Sequence, residues 1–217
     1  MVTQRSQPRA IIFDFDGVIV DSEYVKFHVL ARLASAVGFR IRQSDYALKI
    51  GKKESLFLEE LFGKRITTRQ ITKLVQQRRQ HQREHPKQYA RPIPGVKAFI
   101  RFIHRQGIRI CVATGSTKDT TAHALRLLGM WKYVDCLVTG EEYRSSKPNP
   151  EVFKIALRKL RCKPNEAIVI EDGVAGVVAA KRAGIWVAAI TTTTPKRKLR
   201  QADLIVRSFA ELRKKGN

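Results

Sequence analysis

Residues 10–23 have the sequence AIIFDFDGVIVDSE, and this stretch decides how the rest of the chain is interpreted. It begins with the apolar run Ala10 to Phe13, which is typical of a short strand that is buried on both faces. Asp14 and Asp16 follow, and their spacing places both side chains on the same side of an extended chain. Gly17 then lets the backbone turn away. We therefore expect two carboxylates to emerge together where a buried strand ends.

Two carboxylates held close together repel each other, and a bound cation relieves that repulsion. Carboxylate oxygens are ligands that Mg²⁺ prefers in proteins. The pair Asp14 and Asp16 is therefore a candidate magnesium site. The alternative is a strand that simply ends in an acidic turn, and from this stretch alone the two interpretations have equal weight.

The composition is that of a soluble globular protein with one large domain, or with a core domain that carries an insertion. Its 217 residues are 43% hydrophobic and 28% charged, which is ordinary for that class. Its three cysteines form no CxxC pair, which argues for a reducing compartment and against a structural zinc site. No signal sequence is recognisable, and no run approaches the about 18 apolar residues of a membrane span. We expect a cytoplasmic protein that does not contact membranes.

The net charge of +23 is unusually positive, with 42 Lys or Arg residues against 19 Asp or Glu residues. Such a charge attracts anionic partners, among them phosphorylated metabolites, nucleic acids and anionic membrane surfaces. It is also compatible with adaptation to the host's internal environment, in which case no partner is implied. Charge alone does not choose between these explanations.

Apolar runs alternate with amphipathic patterns along most of the chain. Further strands are predicted at 108–113, 133–138, 167–170, 185–190 and 203–206, and helices between them at 96–105, 118–128, 151–160 and 174–183. This alternation predicts a doubly wound, mainly parallel α/β sheet with catalytic residues at the carboxyl ends of its strands. Residues 24–91 lack strand patterns, so they are predicted to form an inserted helical subdomain.

Polar residues also follow the other predicted strands. Thr114, Gly115 and Ser116 precede a helix, where hydroxyls and free N–H groups make a phosphate site, although Ser116 could instead cap the helix. Lys147 is held between prolines in the segment SSKPNP at 145–150, although a lone lysine is usually solvated. The acidic pair at 171–172 could be favoured simply by a helix N-terminus. Four predicted strands that end in such polar residues, in this order, are improbable by chance and indicate an active site.

This ordered set resembles the haloacid dehalogenase-like (HAD) superfamily, in its branch of phosphatases and β-phosphoglucomutases. The matching segments are DFDGV at 14–18, DSE at 21–23, PG at 94–95, ATGS at 113–116, KPNP at 147–150 and EDGVAG at 171–176. They cover nearly the whole chain. The resemblance implies a Rossmann-like catalytic core of residues 1–23 and 92–217, with a helical cap of residues 24–91 that closes over it.

The resemblance also implies a role for individual residues. Asp14 would be the nucleophile that forms an aspartyl-phosphate, and Asp16 would be the general acid/base. Thr114 would hold the transferring phosphoryl group, and Lys147 would neutralise nucleophile and phosphate. The implied ligands of Mg²⁺ are Asp14, Asp16 through its main-chain carbonyl, Glu171 and Asp172. Further candidates for substrate binding are Ser22, Gly115 and Ser116.

The cap segment is strongly basic, with 16 Lys or Arg residues against 5 Asp or Glu residues. Lys52 and Lys53 lie where relatives often place a substrate-contacting loop, so they are candidates for binding an anionic part of the substrate. Most of the other basic residues, such as Arg78, Arg79 and Arg83, are expected to form a solvated face.

One position departs from the family pattern. Relatives commonly have a histidine three residues after the DSE glutamate, and sugar-phosphate mutases use it in closing the cap, but here it is Lys26. This difference argues against a mutase, so the resemblance implies a Mg²⁺-dependent phosphatase acting on a small phosphorylated metabolite such as a sugar phosphate. A monomer is expected for a capped enzyme of this size. A β-phosphoglucomutase-type hexose-phosphate mutase is the alternative. A basic nucleic-acid-binding protein on the same fold is a more distant alternative, suggested only by the charge.

Overall fold

The computed structural model describes residues 7–46 and 54–215. Within them, six strands form one sheet: β1 Ala10–Phe13, β2 Arg109–Ala113, β3 Cys136–Val138, β4 Ala167–Glu171, β5 Trp186–Ile190 and β6 Leu204–Val206. The strand order is β3-β2-β1-β4-β5-β6, and every neighbouring pair is parallel. The chain order reverses direction at β1, which opens a crevice at the carboxyl ends of the strands. The predicted doubly wound α/β sheet is confirmed.

Helices cover both faces of the sheet. They are α6 Val96–Arg105, α7 Lys118–Leu127, α8 Glu151–Leu160, α9 Val174–Arg182 and α10 Phe209–Lys215. On one face, Phe13 of β1 packs with Phe99 of α6 and Phe209 of α10 in one hydrophobic cluster. On the other face, Ile12 lies in a second cluster with Phe153 of α8. Because successive residues of a strand point to opposite faces, burial on both sides explains why β1 is continuously apolar.

A group of helices lies between β1 and α6. It comprises α1 Glu23–Ser35, α2 Gln43–Tyr46, α3 Glu54–Phe62, α4 Thr68–Glu84 and α5 Pro86–Tyr89. We call α1–α5 the helical insertion. It buries a hydrophobic cluster of its own, which includes Leu30, Phe57 and Leu74. The division of the chain into core and cap at the predicted boundaries stays a prediction.

Helix α4 begins with a capping box that fixes its start. Thr67 Oγ1 accepts a hydrogen bond from the backbone N–H of Gln70 (3.2 Å), and Gln70 Oε1 accepts one from the N–H of Thr67 (2.9 Å). This arrangement satisfies donors that the first helical turn otherwise leaves free. The buried side chains of α4 are Ile71, Leu74, Val75 and Arg78. They follow the helical repeat, so one arginine lies on the inward face.

Two details differ from the sequence predictions. The strand predicted at 133–138 is shorter, because Trp131–Tyr133 form a short 3₁₀ turn and β3 begins only at Cys136. Helix α10 was not predicted. Among the described residues, none of the helices combines the length and apolar character that crossing a membrane would require.

Candidate active site

The carboxyl ends of the central strands meet at one cavity of about 420 Å³. Asp14 follows β1, Thr114 follows β2, and Glu171 ends β4. The predicted site residues that line this cavity are Asp14, Asp16, Thr114, Gly115, Ser116, Lys147, Glu171 and Asp172. Side chains from distant parts of the sequence are therefore brought together as the strand-end pattern predicts.

Lys147 lies in the middle of the acidic groups. Its Nζ is 2.6 Å from Asp14 Oδ1 and 2.7 Å from Glu171 Oε1, and its side chain is only 10% exposed. Burial disfavours the ammonium, but the charges of Asp14 and Glu171 outweigh it and raise the pKa of Lys147. Lys147 is thus a permanently charged ammonium inside the site, and the alternative of a solvated lysine is excluded.

Three carboxylates form a candidate metal centre. Asp14, Glu171 and Asp172 each offer an oxygen, and these atoms lie within 4.8 Å of one another. Burial raises the pKa of Asp14 to about 7, against the attraction of Lys147, and the charge of Glu171 raises it further. Burial, followed by the charges of Glu171 and Asp14, raises the pKa of Asp172 well above its usual range. The raised pKa values show that full ionisation of the three carboxyl groups is unfavourable with Lys147 as the cation in contact with the cluster, and a divalent cation such as Mg²⁺, which prefers hard oxygen donors, would relieve that repulsion.

Backbone groups hold the Glu171 carboxylate in place. Its Oε2 accepts hydrogen bonds from the N–H groups of Asp172 (2.8 Å) and Gly173 (2.9 Å), while Oε1 faces Lys147. A Cβ at Gly176, in the first turn of α9, would lie 1.7 Å from Glu171 Oε1. Glycine is therefore required there by space and not by an unusual backbone conformation.

Gly17 is required for a different reason. It has φ +84°, a conformation that L side chains rarely adopt, and a Cβ there would lie 2.1 Å from Asp172 Oδ2. Asp172 also accepts a hydrogen bond from the hydroxyl of Thr193. The turn after β1 therefore packs directly against the side chain of Asp172, which follows β4.

Asp16 is held by three side chains. Ser22 Oγ donates to its Oδ1 (2.5 Å), Ser116 Oγ donates to its Oδ2 (3.1 Å), and Lys26 Nζ lies 2.6 Å from Oδ1. Burial and the charge of Glu23 raise the pKa of Asp16, but the Lys26 charge and the hydrogen bonds from Lys26 and Ser22 prevail, so the pKa is lowered. The alternative role of Ser116 as a helix cap is excluded, because Thr117 is the N-cap of α7.

Sequence reasoning missed the contact made by Lys26, treating it only as the loss of a histidine. Lys26 is 6% exposed, and its Nζ is also 3.1 Å from Glu23 Oε1. Tyr46 of α2 donates to Glu23 Oε2 (3.1 Å), which extends the network through the helical insertion. One signal was present: Ser22 and Lys26 are four residues apart at a helix start, so both face the same neighbour.

The expectation for Arg78 is wrong. It is 7% exposed, with Nε 3.0 Å from Glu54 Oε2, Nη2 2.9 Å from the same oxygen, and Nη1 donating to Gln82 (2.5 Å). Its position on the buried stripe of α4 is the physical reason. Arg79 and Arg83 are exposed as expected, but they line the cavity too.

The remaining predicted residues divide into two groups. Thr114 Oγ1 accepts a hydrogen bond from the N–H of Ser116 (3.0 Å), and the Thr114 carbonyl accepts one from Tyr143 (3.3 Å), so this loop is ordered from both sides. Lys52 and Lys53 lie outside the described residues, and their predicted role stays a prediction.

Comparison with known proteins agrees with this geometry. The family model described as haloacid dehalogenase-like hydrolase matches residues 11–190. The protein YhcW of Bacillus subtilis is 32% identical over 181 residues, which cover 82% of this chain and 80% of YhcW. The chain therefore belongs to the haloacid dehalogenase-like hydrolase family. The prediction of a phosphatase-type enzyme of this family is confirmed.

One further relative and one solved structure refine the comparison. The phosphorylated carbohydrates phosphatase of Thermotoga maritima is 28% identical over 176 residues, covering 81% of this chain and 82% of that protein. The crystal structure of β-phosphoglucomutase from Clostridium difficile superposes with a TM-score of 0.84, covering 97% and 98% of the two chains. At 23% identity, this second likeness shows a common fold alone.

Proposed function

We propose that this protein is a Mg²⁺-dependent phosphatase that hydrolyses the phosphate ester of a small metabolite, such as a sugar phosphate, through an aspartyl-phosphate on Asp14. The observation that carries the proposal is the convergence of Asp14, Lys147, Glu171 and Asp172 in one cavity. The relative named for phosphorylated carbohydrates supports the substrate class.

In the first step, a carboxylate oxygen of Asp14 attacks phosphorus, forming a new O–P bond as the bond to the leaving oxygen breaks. Lys147 holds Asp14 and balances charge as the anionic phosphate approaches. Asp16 gives its proton to the leaving oxygen. Because Lys26 favours the carboxylate of Asp16, that proton must be taken up when the substrate dianion arrives, since a neighbouring negative charge favours the neutral acid.

In the second step, Asp16 accepts a proton from a water molecule that attacks the aspartyl-phosphate. The bond between phosphorus and Asp14 breaks, inorganic phosphate is released, and Asp14 returns to its starting form. One residue thus serves first as acid and then as base, a type of help that is typically worth about 10²–10⁴-fold in rate. Ser22 and Ser116, which bond the two oxygens of Asp16, orient it for both steps.

The side chains of Asp14 and Asp172 and the main-chain carbonyl of Asp16 would hold Mg²⁺, with Glu171 assisting. When bound, the ion supplies positive charge that screens the repulsion between nucleophile and phosphate. Closure of the helical insertion over the cavity would exclude water. The monomeric state and the cytoplasmic location remain part of the proposal.

The test is phosphate release from a panel of sugar phosphates, phosphoglycolate, nucleotides and pyrophosphate, with Mg²⁺ and with EDTA. We expect Mg²⁺-dependent release by the wild type and none by Asp14→Asn. The circular dichroism spectrum and melting temperature of the variant should match those of the wild type, which would show that the loss is not due to unfolding. Isomerised sugar phosphate without release would indicate the mutase instead. Turnover retained by Asp14→Asn would remove Asp14 from the nucleophile role.

A further inference from the structure

The cavity that holds the catalytic carboxylates has a second, basic part. Helix α4 contributes Arg78, Arg79, Gln82 and Arg83 to its lining. These residues come from the helical insertion, whereas Thr114 and Lys147, assigned to the transferring phosphoryl group, belong to the loops that follow the strands. Part of the cavity lining is therefore positively charged, and it is formed by residues that phosphoryl transfer itself does not need.

Most of the charges around this cavity are already balanced by partners. Arg78 pairs with Glu54, and Lys26 pairs with Asp16 and Glu23. Arg79 and Arg83 differ, because no carboxylate and no other hydrogen-bonding group within residues 7–46 and 54–215 pairs with either of them. Two like charges at i and i+4 on a helix destabilise it slightly, so this pair is unfavourable until an anion binds.

We propose that Arg79 and Arg83 bind a second anionic group of the substrate, so that the preferred substrate is a phosphate ester carrying another phosphate or a carboxylate. This inference rests on the proposed function. The planar guanidinium matches both groups through paired N–H donors. A cavity of about 420 Å³ is suited to a small metabolite with an anion at each end.

Contacts of neighbouring residues hold the part of α4 that carries Arg79 and Arg83. Arg78 is held by the Glu54 carboxylate and by Gln82, and the capping box at Thr67 fixes the start of the helix. These contacts fix the backbone from which the side chains of Arg79 and Arg83 extend. A matched control exists on the same helix: Arg69 and Lys73 are also four residues apart and exposed, but they do not line the cavity.

The experiment compares pairs of compounds that differ in one anionic group: fructose 6-phosphate with fructose 1,6-bisphosphate, and glucose 6-phosphate with 6-phosphogluconate. Each is tested as a competitive inhibitor of p-nitrophenyl phosphate hydrolysis, using the wild type, Arg79→Gln/Arg83→Gln and the control Arg69→Gln/Lys73→Gln. For the wild type we expect about tenfold tighter inhibition by at least one doubly anionic compound than by its partner. The first pair tests a second phosphate, and the second pair tests a carboxylate.

In Arg79→Gln/Arg83→Gln this preference should disappear, with kcat for p-nitrophenyl phosphate within about twofold of the wild type. The control variant should keep the preference. Equal inhibition within both pairs in the wild type, or equal losses in the two double variants, would overturn the inference. If the wild type does not hydrolyse p-nitrophenyl phosphate, the proposed function fails, and calorimetric titration of the same four compounds still decides whether the arginine pair recognises a second anion.

Discussion

Replacing Gly176 with alanine tests how tightly the acidic centre is built. Gly176 lies in the first turn of α9, so the backbone accepts alanine, and helix propensity alone would stabilise the protein by at most about 1 kcal/mol. The new Cβ would, however, lie 1.7 Å from Glu171 Oε1 and 1.9 Å from Glu171 Cδ. The carboxylate would therefore have to move.

The free-energy cost of moving the Glu171 carboxylate follows from its contacts. Its carboxylate is bonded to Lys147 and to the N–H groups of Asp172 and Gly173. Hydrogen bonds to charged groups contribute roughly 1.5–3 kcal/mol each. Loss of two of them, less the gain in helix propensity, gives a net destabilisation of about 2–5 kcal/mol. We expect phosphatase activity to fall as well, because Lys147 loses one of its two carboxylate partners.

Urea unfolding of four proteins measures this cost: wild type, Gly176→Ala, Glu171→Ala and the double variant. In the Glu171→Ala background the carboxylate is absent, so Gly176→Ala should be neutral or stabilising by up to about 1 kcal/mol. A double variant in which Gly176→Ala costs as much as it does in the wild type would refute the reasoning, because the clash would then lie elsewhere.

Two other predictions concern protons. Lys26→Met removes the charge that lowers the pKa of Asp16, so the alkaline limb of the pH profile of kcat/KM should move to higher pH. Lys26→Arg retains the charge and should leave this limb in place. An unchanged profile in Lys26→Met would contradict the role of Lys26. The folded-state pKa of Asp14, about 7, lies above its unfolded value, so this group's contribution to stability is present at low pH and is lost as pH rises from about 4 to 7. Without Mg²⁺, the melting temperature should therefore fall over this range more in the wild type than in Asp14→Asn, and Mg²⁺ should raise it more at pH 7.5 than at pH 5.

The sheet and the core of the site were predictable because their signals are local. The apolar run of β1 and the polar residues that follow β2 and β4 define which side chains meet, since parallel strands end at the same edge. The contact of Lys26 was not predictable, because it depends on where α1 packs against the turn after β1. Burial of Arg78 was hidden in the same way, since its partner Glu54 lies on another helix.

The sequence did not predict the short helices α2, α5 and α10, for a different reason. Helices α2 and α5 have four residues each, too few to display a periodic pattern. Helix α10 has seven residues, of which Phe209 and Leu212 are buried, and basic residues dominate its end. In such segments packing against the rest of the molecule determines the conformation, and local propensity contributes little.

The strand order has a consequence for synthesis of the protein on the ribosome. Strand β1 precedes the other five strands in the chain and lies between β2 and β4, so Asp14 meets Lys147 and Asp172 only after the segment up to β4 has been translated. A nascent chain that stops before β4 has Asp14, the proposed nucleophile, but lacks the carboxylates at 171 and 172. The proposed active site is therefore assembled only after strands have been added on both sides of β1.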